Sequence, residues 1–202
     1  MRREPRRPIL LRGIALAALA ALVAGAGAGA GAGTLACGKG ANGPGRDLPP
    51  YTGHSADLFD DGIDPDAVGF QVAAGAAPMS DTRLRERTQT GDAVVRVRVL
   101  TVTDKREDKR HTWQLGMHTL EHMAGAGPLD TDFTLEVEDT DPGAPMVHAF
   151  EGGLVGKTFV AFVRAFARAG APDEWDEHFH LAGDTGPVKD AVQAAVLLQQ
   201  VR

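Results

Sequence analysis

Val95-Arg96-Val97-Arg98-Val99 decides the fold class of this chain. Valines alternate with arginines over five residues, the period-2 signature of a strand with one buried and one wet face. The same period returns downstream. Trp113, Leu115 and Met117 share a face opposite Gln114, Gly116 and His118. Phe133, Leu135 and Val137 alternate with Asp132, Thr134, Glu136 and Glu138. Phe159 to Phe166 is apolar on both faces, which suits a central strand, and Arg164 and Arg168 mark its emergence into water. Trp175, Phe179 and Leu181 face one way, with Asp176, His178 and His180 the other.

Turn signals separate these runs. Asp104 to Arg110 is uniformly charged and reads as a solvated hairpin loop. Gly125-Ala126-Gly127-Pro128 and Asp141-Pro142-Gly143-Ala144-Pro145 read as turns. The chain closes with a helix. Pro187 suits its first position, Thr185 or Gly186 its cap, and Val188, Ala191, Val192, Ala195, Val196 and Leu198 its apolar stripe. The expected architecture is mainly β with a C-terminal helix: about five strands in a small antiparallel barrel or curled sheet, with the helix packed on it. This order of elements resembles an OB-type barrel of the netrin or TIMP-like kind, an analogy of element order alone.

Upstream of this β domain (91–202) the composition changes. Residues 57–90 read as an acidic arm with short helices. Asp57, Asp60, Asp61, Asp64 and Asp66 are interleaved with Leu58, Phe59, Ile63 and Val68, so the arm is expected to dock by its apolar residues and leave its acids solvated. Asp81 to Arg87 suggests a brief polar helix. Residues 38–56 are rich in Gly and Pro and read as a flexible tether.

The N-terminus carries the three parts of an export signal. Arg2, Arg3, Arg6, Arg7 and Arg12 are basic, Ile9 to Val23 is an alanine-spaced apolar core, and small residues follow. Gly-Ala alternation from Gly25 to Gly33 makes the apolar stretch short for a membrane span. Arg6-Arg7-Pro8-Ile9-Leu10 also fits a loose twin-arginine pattern, beside the plain reading of an arginine-rich start. Thr34-Leu35-Ala36-Cys37 ends the segment with the single cysteine of the chain, which has no internal disulfide partner. Leu35-Ala36-Cys37 resembles the lipobox of bacterial lipoproteins, although the family's leucine stands three places before the cysteine, where this chain has Thr34. The resemblance implies a signal peptide over 1–36, lipid on Cys37, and residence in the cell envelope. Gly38 after the cysteine favours the outer membrane by the same resemblance. Cleavage at Ala28-Gly29-Ala30 would instead release a secreted protein.

Charge narrows the partners. Without residues 1–36 the chain has 16 basic and 26 acidic residues, a net charge of −10. Such a surface repels nucleic-acid phosphates and anionic headgroups, so no nucleic-acid role is expected and the membrane link would be covalent.

Four motifs bear on chemistry. His118-Thr119-Leu120-Glu121-His122 matches the H-x-x-E-H of inverted zinc proteases, which needs a helix, yet here it follows a strand pattern. His178 and His180 project from one strand face and make a metal pair if a further ligand such as His118 or His148 arrives from elsewhere. Glu151 to Thr158 misses the phosphate-loop spacing, because Glu151 stands where glycine is required, and reads as a glycine turn feeding a strand. The arm lacks the EF-hand order. No cofactor is expected. The leading expectation is a binding or envelope-structural module for a protein, glycan or small molecule. A metal-dependent hydrolase using His118, His122, His178 and His180, and an accessory solute-binding protein of a transporter, are the alternatives.

Overall fold

The computed structural model describes residues 48–70, 76–107, 110–127 and 129–201. The leader, Cys37 and the first part of the expected tether lie outside them. Six strands form one curled, half-barrel sheet in the order β1-β6-β5-β2-β3-β4. The strands are β1 (Gly62–Ile63), β2 (Ala93–Glu107), β3 (Arg110–Gly125), β4 (Asp132–Glu138), β5 (Thr158–Arg168) and β6 (Ala171–Gly183). The helices are α1 (His54–Leu58), α2 (Pro65–Val68), α3 (Thr82–Thr90), α4 (Ala144–Leu154) and α5 (Gly186–Gln200), with a 3-10 turn at Pro78–Ser80. All neighbouring strands are antiparallel except β1, which runs parallel to β6.

The long β2-β3 hairpin explains the curl. Its register shifts three times, between Val94 and Val95, Arg96 and Val97, and Val99 and Thr101. Each bulge adds an unpaired residue, bends its strand and increases the local twist. The charged run expected as a loop is mostly strand, since pairing continues out to Glu107 and Arg110. Alternating solvated side chains cost nothing on a two-stranded ribbon that projects from the core.

Both faces of the sheet are covered. On the first face, Val95, Val97, Val99, Trp113, Leu115, Met117, Leu135, Val137, Phe159, Phe179 and Leu181 pack against α2 and α4. On the second, Val94, Val160, Phe162, Phe166 and Ala182 pack against Leu58, Phe59, Leu84 and the Val188, Ala191 and Val192 stripe of α5. The wet face expected beside Val95, Val97 and Val99 is roofed at its start, while Arg98 stays exposed. Val94 is fully buried, and Arg96 reaches Asp184 at 2.7 Å. Strand β5 lies between β6 and β2, which accounts for its apolar residues on both faces.

Helix α5 starts as its sequence dictates, with the Thr185 hydroxyl accepting from the Val188 N–H at 3.4 Å and Pro187 in the first turn. Asp81 caps α3. Helix α4 was not expected. Ala144 and Pro145 start it where a plain turn was read, and it runs through Glu151-Gly152-Gly153-Leu154, read as a glycine turn. Its two glycines, each worth about 1 kcal/mol against helix, hide it. The helix is irregular at Phe150 and stands by burying Ala144, Val147 and Leu154. Only Val155 to Lys157, with Gly156 at φ +84°, forms the turn into β5.

Candidate functional site

The segment from Pro49 to Asp64 is bound tightly to the sheet. The Ala167 N–H donates to the Pro49 carbonyl at 3.0 Å, so the last part of the expected tether is docked. Helix α1 ends at Leu58, whose carbonyl accepts from Arg87 Nε at 2.5 Å. A helix leaves its last carbonyls unpaired, and a guanidinium satisfies them well. Leu58 and Phe59 enter the second core and pull the following aspartates onto β6.

Asp61 is the pivot of this docking. It adopts φ +50°, a left-handed conformation that aspartate tolerates better than most residues. Every polar group it has is used. Its N–H donates to the Phe179 carbonyl at 2.8 Å, and its own carbonyl accepts from the Gly143 N–H at 3.1 Å. Its Oδ1 accepts from the Phe179 N–H at 3.0 Å, and its Oδ2 lies 2.5 Å from His178 Nδ1. A side chain on Gly143 would meet the Asp61 carbonyl at 2.3 Å, so only glycine fits there.

His180 is gripped twice. Nδ1 is 2.8 Å from Asp60 Oδ1 and Nε2 is 3.0 Å from Asp64 Oδ1. Carboxylates only accept, so both contacts are hydrogen bonds when the ring carries two protons. Burial disfavours that charged form and Arg87 opposes it, but the bonds to Asp60 and Asp64 outweigh them and hold His180 above its ordinary range. Burial pushes Asp60 up, yet the bond to His180, its charge and that of Arg87 bring it below the usual carboxylate range. For Asp61 burial wins over His178 and the Phe179 N–H, and its pKa is raised. Tyr51 covers the outside. Its ring stacks on His178 at 3.4 Å and 2°, and its hydroxyl donates to the Phe59 carbonyl at 2.7 Å. Burial, then the charges of Asp61, Asp141 and Asp60, raise that hydroxyl's pKa.

Beside this clasp opens a cleft of about 550 Å³ between β4 and β6. Glu136 and Glu138 of β4, Asp176, Glu177 and His178 of β6, Asp61 and Asp141 line it, with Trp175, Arg110 and Arg168. Burial and the nearby Asp61 and Glu138 push Asp141 up to about 6, against the Glu138 N–H bond. Burial, then Asp92 and Asp130, raise Glu177. Arg168 is engaged by Glu174 and Asp176.

The sequence-derived candidates fall in different places. His178 and His180 share the second face of β6, as their spacing demands, but they are held by aspartates of the arm rather than solvated. His118 and His122 lie on the bulged end of β3, so H-x-x-E-H is strand and lacks its helix. His118 pairs with Asp132 across to β4 at 2.6 Å, and His122 is exposed. His148 is on α4, edge-on to Trp113. Two strands, β5 and β2, separate the histidine pairs. Among the described residues, no group of three or more His, Cys, Asp or Glu is arranged to hold a metal ion. The arm's acids, expected in solvent, are the partners that sequence reasoning missed, together with Tyr51 and Arg87. The apolar residues interleaved with the acids were the available signal.

Comparison with protein-family models, curated proteins and solved structures finds no match. The arrangement suits recognition of cationic groups. Thr134 supplies the only aliphatic hydroxyl among the described lining residues, and it has no histidine beside it on β4.

Proposed function

We propose that this protein is an extracytoplasmic lipoprotein, held to a membrane of the cell envelope through lipid on Cys37, and that its domain works by binding rather than catalysis. The observation that carries the reading is the position of the single cysteine, directly behind a basic, then apolar, then small-residue leader. Several acyl chains, at about 0.8 kcal/mol per buried methylene, anchor a protein firmly. Among the described residues no helix is long and apolar enough to cross a membrane, so the described domain brings no helical span of its own. The open carboxylate-lined cleft gives the domain a surface suited to a cationic partner.

Fractionation of the native host tests the anchor. The wild-type chain is expected in the detergent-extracted membrane fraction, resistant to a carbonate wash, with an intact mass that includes lipid. Cys37→Ser should move it to the aqueous fraction. A bare thiol on Cys37 of the native protein overturns the proposal.

A further inference from the structure

The cleft is bordered by two open stretches of sheet edge, the outer side of β4 and the part of β6 that β1 leaves uncovered. Strand β4 is the last strand on its side. Its hydrogen-bonding phase follows from its ends. Asp139 N–H donates to the His111 carbonyl, and Thr119 N–H to the Thr131 carbonyl, so the odd-numbered residues of β4 bond to β3. Antiparallel pairing alternates, and no bulge interrupts this pair, so the N–H and C=O of Thr134 and Glu136 point away from β3. At Glu138 the same outward groups are closed off by Asp141, which accepts from the Glu138 N–H at 2.7 Å and donates back at 3.0 Å. On β6 the outward groups of Phe179 are taken by Asp61, and β1 covers only His180 and Leu181. The outward groups of Trp175 and Glu177, in phase with Phe179, have no backbone partner among the described residues.

Natural proteins seldom leave an open edge without covering it, because it templates pairing with another strand. Here the edges border a cleft of ligand size rather than open surface. The cleft also states the charge of its occupant. With Asp61 paired to His178 and Arg168 spent on Glu174 and Asp176, the carboxylates of Glu136, Glu138, Asp141 and Glu177 face Arg110 as the remaining cation of the described lining.

We propose that this cleft docks an extended, lysine- or arginine-bearing segment of a partner protein, which pairs with the outer edge of β4 as an added strand. Backbone bonds to Thr134 and Glu136 supply the pairing, and the carboxylates select a basic segment. The proposal rests on the reading of the domain as a binding module and does not depend on the lipid.

Fluorescence anisotropy on the full-length protein in detergent tests it, with a capped, labelled decapeptide alternating lysine and threonine as probe. Saturable binding is expected, and a glutamate-threonine decapeptide should not bind. Glu136→Pro removes one outward N–H and leaves the β3 ladder whole, since proline is tolerated on an edge strand. It should weaken binding by about tenfold, the loss of roughly one buried hydrogen bond, and well beyond the loss in Glu136→Ala. Amide exchange at Thr134 and Glu136 of the wild-type chain should slow when the lysine peptide is bound, a readout that stands even where the proline variant fails to fold. Absent binding, equal binding of both peptides, or unchanged exchange at Thr134 and Glu136 overturns the strand-pairing proposal. Each of these results leaves the Cys37 fractionation outcome untouched, so the two proposals fail separately.

Discussion

His178 and His180 on β6, and His118 and His122 on β3, are the same residue type on strands of the same sheet, yet they do different work. The His180 side chain is 8% exposed and lies between two aspartates. The His118 side chain is 39% exposed, and its partner Asp132 is 69% exposed. The contact distances are alike, 2.8 Å and 2.6 Å. An exposed pair gains little, because water competes for both charges and two side chains must be ordered. A buried pair is costly to break, since removing one partner strands the other away from water. The packed arm therefore makes the difference, and distance alone does not.

The strongest way to break this contrast is Asp61→Ala. It leaves the buried Phe179 N–H without an acceptor, removes the partner of His178, and places alanine at positive φ. A loss of about 2–4 kcal/mol is expected in urea denaturation. A loss under about 0.5 kcal/mol would mean that Asp61 does not hold the arm.

His180→Gln should cost less, about 2 kcal/mol, because Asp64 is half-exposed and can turn to water. It also sharpens the comparison through pH. His180 is held above its ordinary 6.5, so its contribution is complete below 6.5 and is lost as pH rises through the folded value. Asp141, raised to about 6, loses its contribution in the same direction, from the ordinary carboxylate range up to 6. Asp60, held below 3.8, contributes above that value and loses it as pH falls through its lowered pKa. Stability should therefore be greatest on the acid side of neutrality, falling first from the ordinary carboxylate range up to about pH 6 with Asp141 and again above 6.5 with His180. Denaturation midpoints above pH 6.5 should show a shallower fall in His180→Gln. An identical slope in both chains would remove His180 from the account.

At the small end, His118→Ala and His122→Ala should each stay within about 0.5 kcal/mol of wild type in the same assay. A large loss at either position would show that exposure is a poor guide in this sheet.

Much of the sheet was readable from side-chain period. Val95 to Val99, Trp113 to Met117, Phe133 to Val137 and Phe159 to Phe166 all lie on strands, and Thr185 and Pro187 start the last helix. Their signals are local, carried by neighbours two or four residues apart. Helix α4 was obscured by Gly152 and Gly153, because its stability comes from burying Val147 and Leu154 rather than from propensity. The cover over Val94 and Arg96 was equally hidden, since an alternating pattern looks the same whether its polar side meets water or an acid of a distant loop such as Asp184.

The clasp was illegible for a simpler reason. Asp61 and His178 stand 117 positions apart. Five aspartates among apolar residues describe solvent-facing acids as well as buried ones until their partners are known. Periodicity, caps and the placement of Cys37 were fixed by residues adjacent in the chain, and so belong to the sequence alone. Which acids meet which histidines, and where a strand edge stays open, was decided by tertiary structure, because hydrogen bonding and burial depend on neighbours that only folding brings together.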